Sequence, residues 1–282
     1  MTNSSKTTYK KLAIPHFKEV FEIVDEVLTE HGVPYYLIGA SAIGLELLKQ
    51  GIRPPRGTKD IDFAVMVSTE KEYENILESF VKKGFVKVEA TWTIRHPEFN
   101  TVVDLLPFGT IENNFSVNFK NKNADLHVVG LSEVLAESTK VEIDNHLARI
   151  PSLHGMVILK LISWTDRPED RPNDPYDLIK IIQHYFDLND DEIYEDHNDL
   201  FDMHEFDQLM ISTRVLGRKV GLILSKSEML KDRILKILTD NIDDPENSKI
   251  AENWAVKHDY PIEYSLKLLD ELKTGIKETI GK

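Results

Sequence analysis

An acidic doublet embedded in an apolar run constrains this chain more than any other feature. Asp60-Ile61-Asp62-Phe63-Ala64-Val65-Met66-Val67 reads as a strand whose two carboxylates sit two residues apart. On a strand such residues point to the same face and lie roughly 6.6 Å apart along it, so Asp60 and Asp62 project together. Two like charges about 4 Å apart repel by about 4 kcal/mol at an effective dielectric near 20, so such a pair calls for a cation between its members. Upstream, the apolar run Tyr35 to Ile38 ends in Gly39-Ala40-Ser41, followed by a helix-like segment and the basic loop Arg53-Pro54-Pro55-Arg56-Gly57. A small-residue turn after a strand lets backbone N–H groups at a helix start approach phosphate. Magnesium in turn binds through one or two carboxylates plus the substrate's own phosphate oxygens. The stretch therefore predicts a metal-dependent nucleotide site.

The 282 residues suffice for one large or two ordinary domains, and 41% hydrophobic with 29% charged residues is a globular composition. The absence of cysteine excludes disulfides, thiolate zinc sites and thiol nucleophiles. No run approaches the ~20 apolar residues of a bilayer span, and the opening MTNSSKTTYKK lacks a signal-peptide stretch, so the expectation is a cytoplasmic protein with no membrane partner. A net charge of −14 argues against broad electrostatic adhesion to nucleic acid but leaves room for a local basic patch. The segment from Asp187 to Asp207 inflates that total with ten acidic residues and no Lys or Arg, and reads as a solvated loop and helix rim.

Order along the chain gives the fold class. A polar, disordered tail is expected first. Phe17, Val20, Phe21, Val24, Val27 and Leu28 then recur at helical spacing until His31-Gly32. Helices are expected at Ala40 to Lys49 and Glu70 to Lys83. Extended segments are expected near Phe85 to Ile94, Thr101 to Leu106, Phe115 to Phe119 and Leu126 to Val129. A short helix should follow Ser132, and Val141 to Ile143 with Leu147 to Ile150 reads as a hairpin turning at Asp144-Asn145-His146. Beyond Pro151 the period is helical: Leu153, Met156, Val157, Lys160, Leu161 and Trp164 form one stripe, and later helices are expected at Asp207 to Leu224, Lys226 to Thr239, Pro245 to Lys257 and Ile262 to Ile280. The prediction is an α+β (α/β) chain: a mixed sheet flanked by helices over residues 1–150, then a helical domain over 151–282.

A metal site on Asp60 and Asp62 needs a third ligand, and Asp104, a lone acid in the apolar run TVVDLL, is the candidate. If its strand pairs beside that of Asp60, its carboxylate lies about 4.8 Å away. Three such carboxylates can hold two metals about 3.5 to 4 Å apart. An acid bonded to backbone amides at a strand end is the simpler alternative for Asp104.

Gly39-Ala40-Ser41, Asp60-Ile61-Asp62 and Asp104 resemble the signature of the polymerase-beta-type nucleotidyltransferases. Within that superfamily the chain resembles the AbiEii toxin family. The shared pattern is Gly39-Ala40-Ser41-Ala42-Ile43, Arg56-Gly57-Thr58-Lys59-Asp60-Ile61-Asp62, the lone Asp104, Lys160 in VILKLISW and Asp174-Pro175-Tyr176-Asp177. The sequence departs from it at Ala40, where the family has a second glycine, and at Pro54-Pro55 and Pro172-Asn173, which lengthen two loops.

The resemblance implies transfer of a nucleoside monophosphate from an NTP to an acceptor hydroxyl, with Mg2+, two ions, on Asp60, Asp62 and Asp104. It implies that Gly39, Ala40, Ser41, Arg56 and Thr58 contact the triphosphate, that Lys160 balances its charge and that Asp177 orients Lys160 or an incoming group. A toxin with an antitoxin partner and a tRNA acceptor follow from the family alone; a small-molecule acceptor, and a silent relative that binds a partner protein, are the alternatives. Each residue also has a plainer reading. Gly39 serves a turn, Ser41 caps a helix, Thr58 orders its loop, Lys160 extends from an apolar helix to water, Asp174 starts a helix and His154 packs at a core edge.

Overall fold

The computed structural model describes residues 9–49, 51–54, 58, 60–119, 124–144, 146–202 and 206–281. The expected polar tail over the first eight residues, Arg56, Gly57, Lys59 and the Asn145 turn position fall outside them. The chain divides into two compact units, 1–152 and 153–282.

The first unit is built on a five-stranded mixed sheet of β1 (Tyr35–Ile38), β2 (Asp60–Met66), β3 (Val86–Lys87), β4 (Thr93–His96) and β5 (Thr101–Phe108), in the order β1-β2-β5-β4-β3. Only β2 and β5 run parallel; the other pairs are antiparallel. Two hairpins complete its strands, β6 (Ser116–Phe119) with β7 (Ala124–His127), and β8 (Thr139–Ile143) with β9 (His146–Ile150). Its helices are α1 (Phe17–Glu30), α2 (Gly39–Lys49), α3 (Glu70–Lys82) and the short α4 (Leu131–Leu135).

Local chemistry explains these elements. The apolar stripe of α1 is fully buried, and the helix ends where His31 is followed by Gly32 at φ +66°. Thr69 caps α3 by accepting the Glu72 N–H at 3.1 Å, while Glu72 reaches back to the Ser68 N–H at 2.7 Å. Alternation along β2 sends Phe63 toward Phe21 of α1, ring centroids 6.0 Å apart, and so turns Asp60 and Asp62 to the opposite face. Tyr73 of α3 donates its hydroxyl to the Leu105 carbonyl at 2.7 Å, tying that helix to β5. The extended structure expected near Phe85 to Ile94 is made of two short strands separated by residues 88–92, where a turn closes on Ala90, whose carbonyl accepts the Thr93 N–H.

Among the described residues the second unit is entirely helical: α5 (Leu153–Asp166), α6 (Asp174–Leu188), α7 (Asp190–Asp196), α8 (Gln208–Leu224), α9 (Glu228–Asp243), α10 (Lys249–His258) and α11 (Ile262–Ile280). Asp207 is the cap of α8 and accepts the Leu209 and Met210 N–H groups at 3.0 Å. Helix α9 begins and ends later than its spacing predicts, and Pro245 opens a single tight turn ahead of α10. Helices α8 and α11 pack backbone to backbone at Gly217 and Gly275, flanked by Arg214 paired with Glu271 at 2.5 Å and with Glu278 at 2.7 Å. In the acidic segment α7 buries Ile193 and Leu200 is buried in the turn that follows, while Asp191, Glu195, Asp196 and Asp202 are exposed.

Candidate active site

Strand pairing assembles the carboxylates. In the parallel β2–β5 ladder Asp62 lies directly opposite Asp104, and Asp60 lies two residues along the same face. Each of the three offers an oxygen, and these oxygens all lie within 4.8 Å of one another, each side chain being half-buried. Threonines hold two of them. Thr58 donates its hydroxyl to Asp60 Oδ1 at 2.6 Å, and Thr93 on β4 donates to Asp104 Oδ1 at 2.5 Å. Thr93 was not legible as a site residue, because a threonine on a strand carries no signal of what lies across the ladder. The negative charge of Asp104 is felt behind the sheet as well. Burial first, and that charge second, push the Tyr73 phenol up and out of the physiological range.

The glycine bend completes this face. Ile38 at the end of β1 pairs with Asp62, and the chain enters α2 at Gly39, where φ is +66°. A Cβ at Gly39 would overlap Asp62 Oδ2 and stand 3.1 Å from its Cγ, so glycine is required by both conformation and space. Ala40 is half-buried in the first turn of α2. Ser41 is 1% exposed and its Oγ has no hydrogen-bond partner among the described residues, so it is not a helix cap. A buried hydroxyl without a partner normally has a role beyond packing. Three clustered carboxylates form an all-oxygen donor set suited to a hard divalent cation, and the bare glycine backbone beside them leaves room for a phosphate: these residues fit a metal–nucleotide site.

Lys160 and Asp177 belong to the helical unit. Lys160 on α5 is buried, with its Nζ 2.6 Å from Asp174 Oδ1 and 2.8 Å from Asp177 Oδ2 on α6. Asp174 also accepts the Ser163 hydroxyl at 2.5 Å, so it does more than start its helix. Burial by itself would pull the Lys160 ammonium down, but the carboxylates of Asp177 and Asp174 outweigh it and hold the group above the ordinary lysine value. Lys160 therefore does not reach out to water. His154 is half-buried on α5.

The profile of a protein family described as "Nucleotidyl transferase AbiEii toxin, Type IV TA system" matches residues 30–257, most of the chain. The chain belongs to the AbiEii nucleotidyltransferase family. As a member it is a transferase of nucleotidyl groups, and its family is the toxin component of type IV toxin–antitoxin systems. Among curated proteins there is no match. Among solved structures it is similar to an antigenic nucleotidyltransferase-like protein from Paracoccidioides brasiliensis, with 16% identity, 69% of this chain and 92% of that one covered, and a TM-score of 0.40. It is also similar to ANT(2″)-Ia in complex with adenylyl-2″-tobramycin, with 13% identity, coverage of 63% and 91%, and a TM-score of 0.41. JHP933 from Helicobacter pylori matches over 97% of this chain and 95% of its own at 13% identity and a TM-score of 0.38.

Proposed function

We propose that this AbiEii family member transfers a nucleoside monophosphate from an NTP to an acceptor hydroxyl on the face formed by Asp60, Asp62, Asp104 and the Gly39 bend. The observation that carries the reading is the convergence of three carboxylates to within 4.8 Å beside a glycine whose missing side chain leaves the approach open. Asp60, Asp62 and Asp104 are the residues that would hold Mg2+. The metal, when bound, supplies neutralisation of phosphate charge and a more acidic acceptor hydroxyl. Gly39 and Ala40 present backbone to a phosphate, and Ser41 donates its unpartnered hydroxyl to a phosphate oxygen. Arg56, outside the described residues, is a further cation that the family resemblance assigns to the triphosphate, and Thr58 and Thr93 keep Asp60 and Asp104 aimed.

Asp104 accepts the proton of the acceptor hydroxyl. That oxygen bonds to the α-phosphorus, the α–β bridging P–O bond breaks and pyrophosphate leaves, with catalysis coming from positioning and charge balance. Lys160, kept charged by Asp177 and Asp174, is the cation this reading assigns to a nucleotide phosphate. Residues 1–150 form the catalytic domain and 151–282 the helical domain that serves nucleotide or acceptor. The protein acts in the cytoplasm as the toxin of a toxin–antitoxin pair; none of the described helices is long and apolar enough to cross a membrane. A tRNA end is the acceptor the family favours. The net charge of −14 favours the second reading, a small-molecule acceptor.

The test incubates the protein with each labelled NTP, Mg2+ and a cell extract, then treats the products with RNase and afterwards protease. Label lost to RNase, and absent with Asp60→Asn/Asp62→Asn, supports transfer to RNA; label surviving both enzymes in a small product supports the second reading. No label in any fraction, together with no measurable NTP affinity, overturns both and leaves a silent partner-binding relative.

A further inference from the structure

The acidic segment that the transfer reading leaves unused carries an aromatic face. Tyr194 on α7 and Phe206 ahead of α8 are 56% and 63% exposed. Their rings join Phe201 in a nearly parallel array: Tyr194 and Phe201 have centroids 5.1 Å apart at 2°, and Phe201 and Phe206 are 6.0 Å apart at 9°. The two outer rings stand on the buried Phe186 of α6, which meets Tyr194 at 90° and Phe206 at 81°, and Phe201 lies between them. Clustered exposed rings are informative where a lone one is not, because each leaves apolar area in water that a partner can cover. Held on Phe186, they lose little freedom when they are covered.

Charge around the rings narrows what can cover them. Some acids of the segment are neutralised internally: Asp199 by Arg218 at 2.5 Å, and Glu192 by Lys219. Asp191, Glu195, Asp196 and Asp202 are exposed and have no cationic partner among the described residues. Nucleic acid and anionic lipid would bring phosphate against these carboxylates, and a second copy of the same face would set acid against acid. A neutral apolar partner would strip water from the carboxylates without replacing it. Arginine answers both features, since its planar guanidinium stacks on ring faces and donates paired N–H groups to carboxylates, whereas the compact lysine ammonium keeps its water.

We propose that the face made by Tyr194, Phe201 and Phe206, with Asp191, Glu195 and Asp202 around it, docks an arginine-bearing basic segment of a protein partner. The surface lies within the helical unit and the proposal is independent of the transfer chemistry.

Fluorescence anisotropy with the full chain tests it, using labelled octa-arginine and octa-lysine at low and moderate salt. Octa-arginine binds more tightly than octa-lysine, since each stacked guanidinium contributes about two- to five-fold. Tyr194→Ser/Phe206→Ser weakens octa-arginine about tenfold and erases its advantage while leaving octa-lysine unchanged. Asp191→Asn/Glu195→Gln/Asp202→Asn weakens both peptides. Should the double aromatic variant fail to fold by circular dichroism, Phe206→Ser alone, at the more exposed position, carries the same test with a two- to five-fold loss expected, about one ring's share. Equal affinity for the two peptides, or an aromatic variant that binds octa-arginine like the parent, reduces the effect to diffuse negative charge and overturns the proposal. Direct binding of a labelled single-stranded RNA oligonucleotide to the parent, lost in the aromatic variant, overturns it in favour of a nucleic-acid surface.

Discussion

Replacing Gly39 by alanine separates backbone strain from damage to the carboxylate cluster, because the chain contains its own control. Gly32 has the same φ of +66°, but a Cβ there meets nothing within 4 Å, whereas at Gly39 it overlaps Asp62 Oδ2. Holding an alanine in the left-handed region costs about 1–2 kcal/mol, so both variants lose that much stability. Only Gly39→Ala must also move the Asp62 carboxylate, by on the order of 1 Å. A displacement of that size at a reacting centre costs about 10²-fold in rate. Thermal melts, Mn2+ affinity by titration calorimetry and initial rates of nucleotide transfer are measured on both variants. The expected pattern is matched melting temperatures, with Mn2+ affinity down at least tenfold and rate down about 10²-fold in Gly39→Ala alone. Mn2+ affinities and rates within threefold of each other would refute the claim that Gly39 is there to make room for Asp62.

Further predictions concern the groups around these acids. Asp104→Asn relieves repulsion among the three carboxylates, so the metal-free protein gains about 1–3 kcal/mol in urea unfolding while the stabilisation by Mg2+ disappears. Thr93→Val removes the hydroxyl donated to Asp104 Oδ1, a charge-assisted bond whose loss slows transfer about tenfold with little change in NTP affinity. Lys160→Met leaves Asp174 and Asp177 buried without their cation and lowers stability by about 3–5 kcal/mol, read from the shift in urea midpoint. Because the Lys160 ammonium is held above its ordinary value, its contribution is complete below about pH 10.4 and is lost as pH rises through the folded-state value. Urea midpoints of the parent therefore fall above about pH 10.4 more steeply than those of Lys160→Met, which lacks that titration.

The α+β class and the family were legible because both are written locally. Period-2 runs, period-3.6 runs and the Asp60-Ile61-Asp62 doublet need no knowledge of distant contacts. Strand pairing was harder to read, since a spacing of 42 residues from Asp62 to Asp104 says nothing about register until the parallel ladder is seen. Asp174 looked like a helix start because Pro172 and Asn173 precede it, yet its carboxylate spans to α5 and holds Lys160 and Ser163. The role of Thr93 is defined by what faces it across the ladder, and the burial of Ser41 by how α2 packs. The break between β3 and β4 hid in a segment whose composition suits a strand and whose turn is made by backbone alone.

Because β2 and β5 are joined in fixed register, their acids are placed by main-chain hydrogen bonding rather than by any loop. The loops within residues 67–100 can therefore vary in length without changing the β2–β5 register, provided β4 keeps Thr93 against Asp104. A shift of the ladder by a single position would send Asp104 to the far side of the sheet.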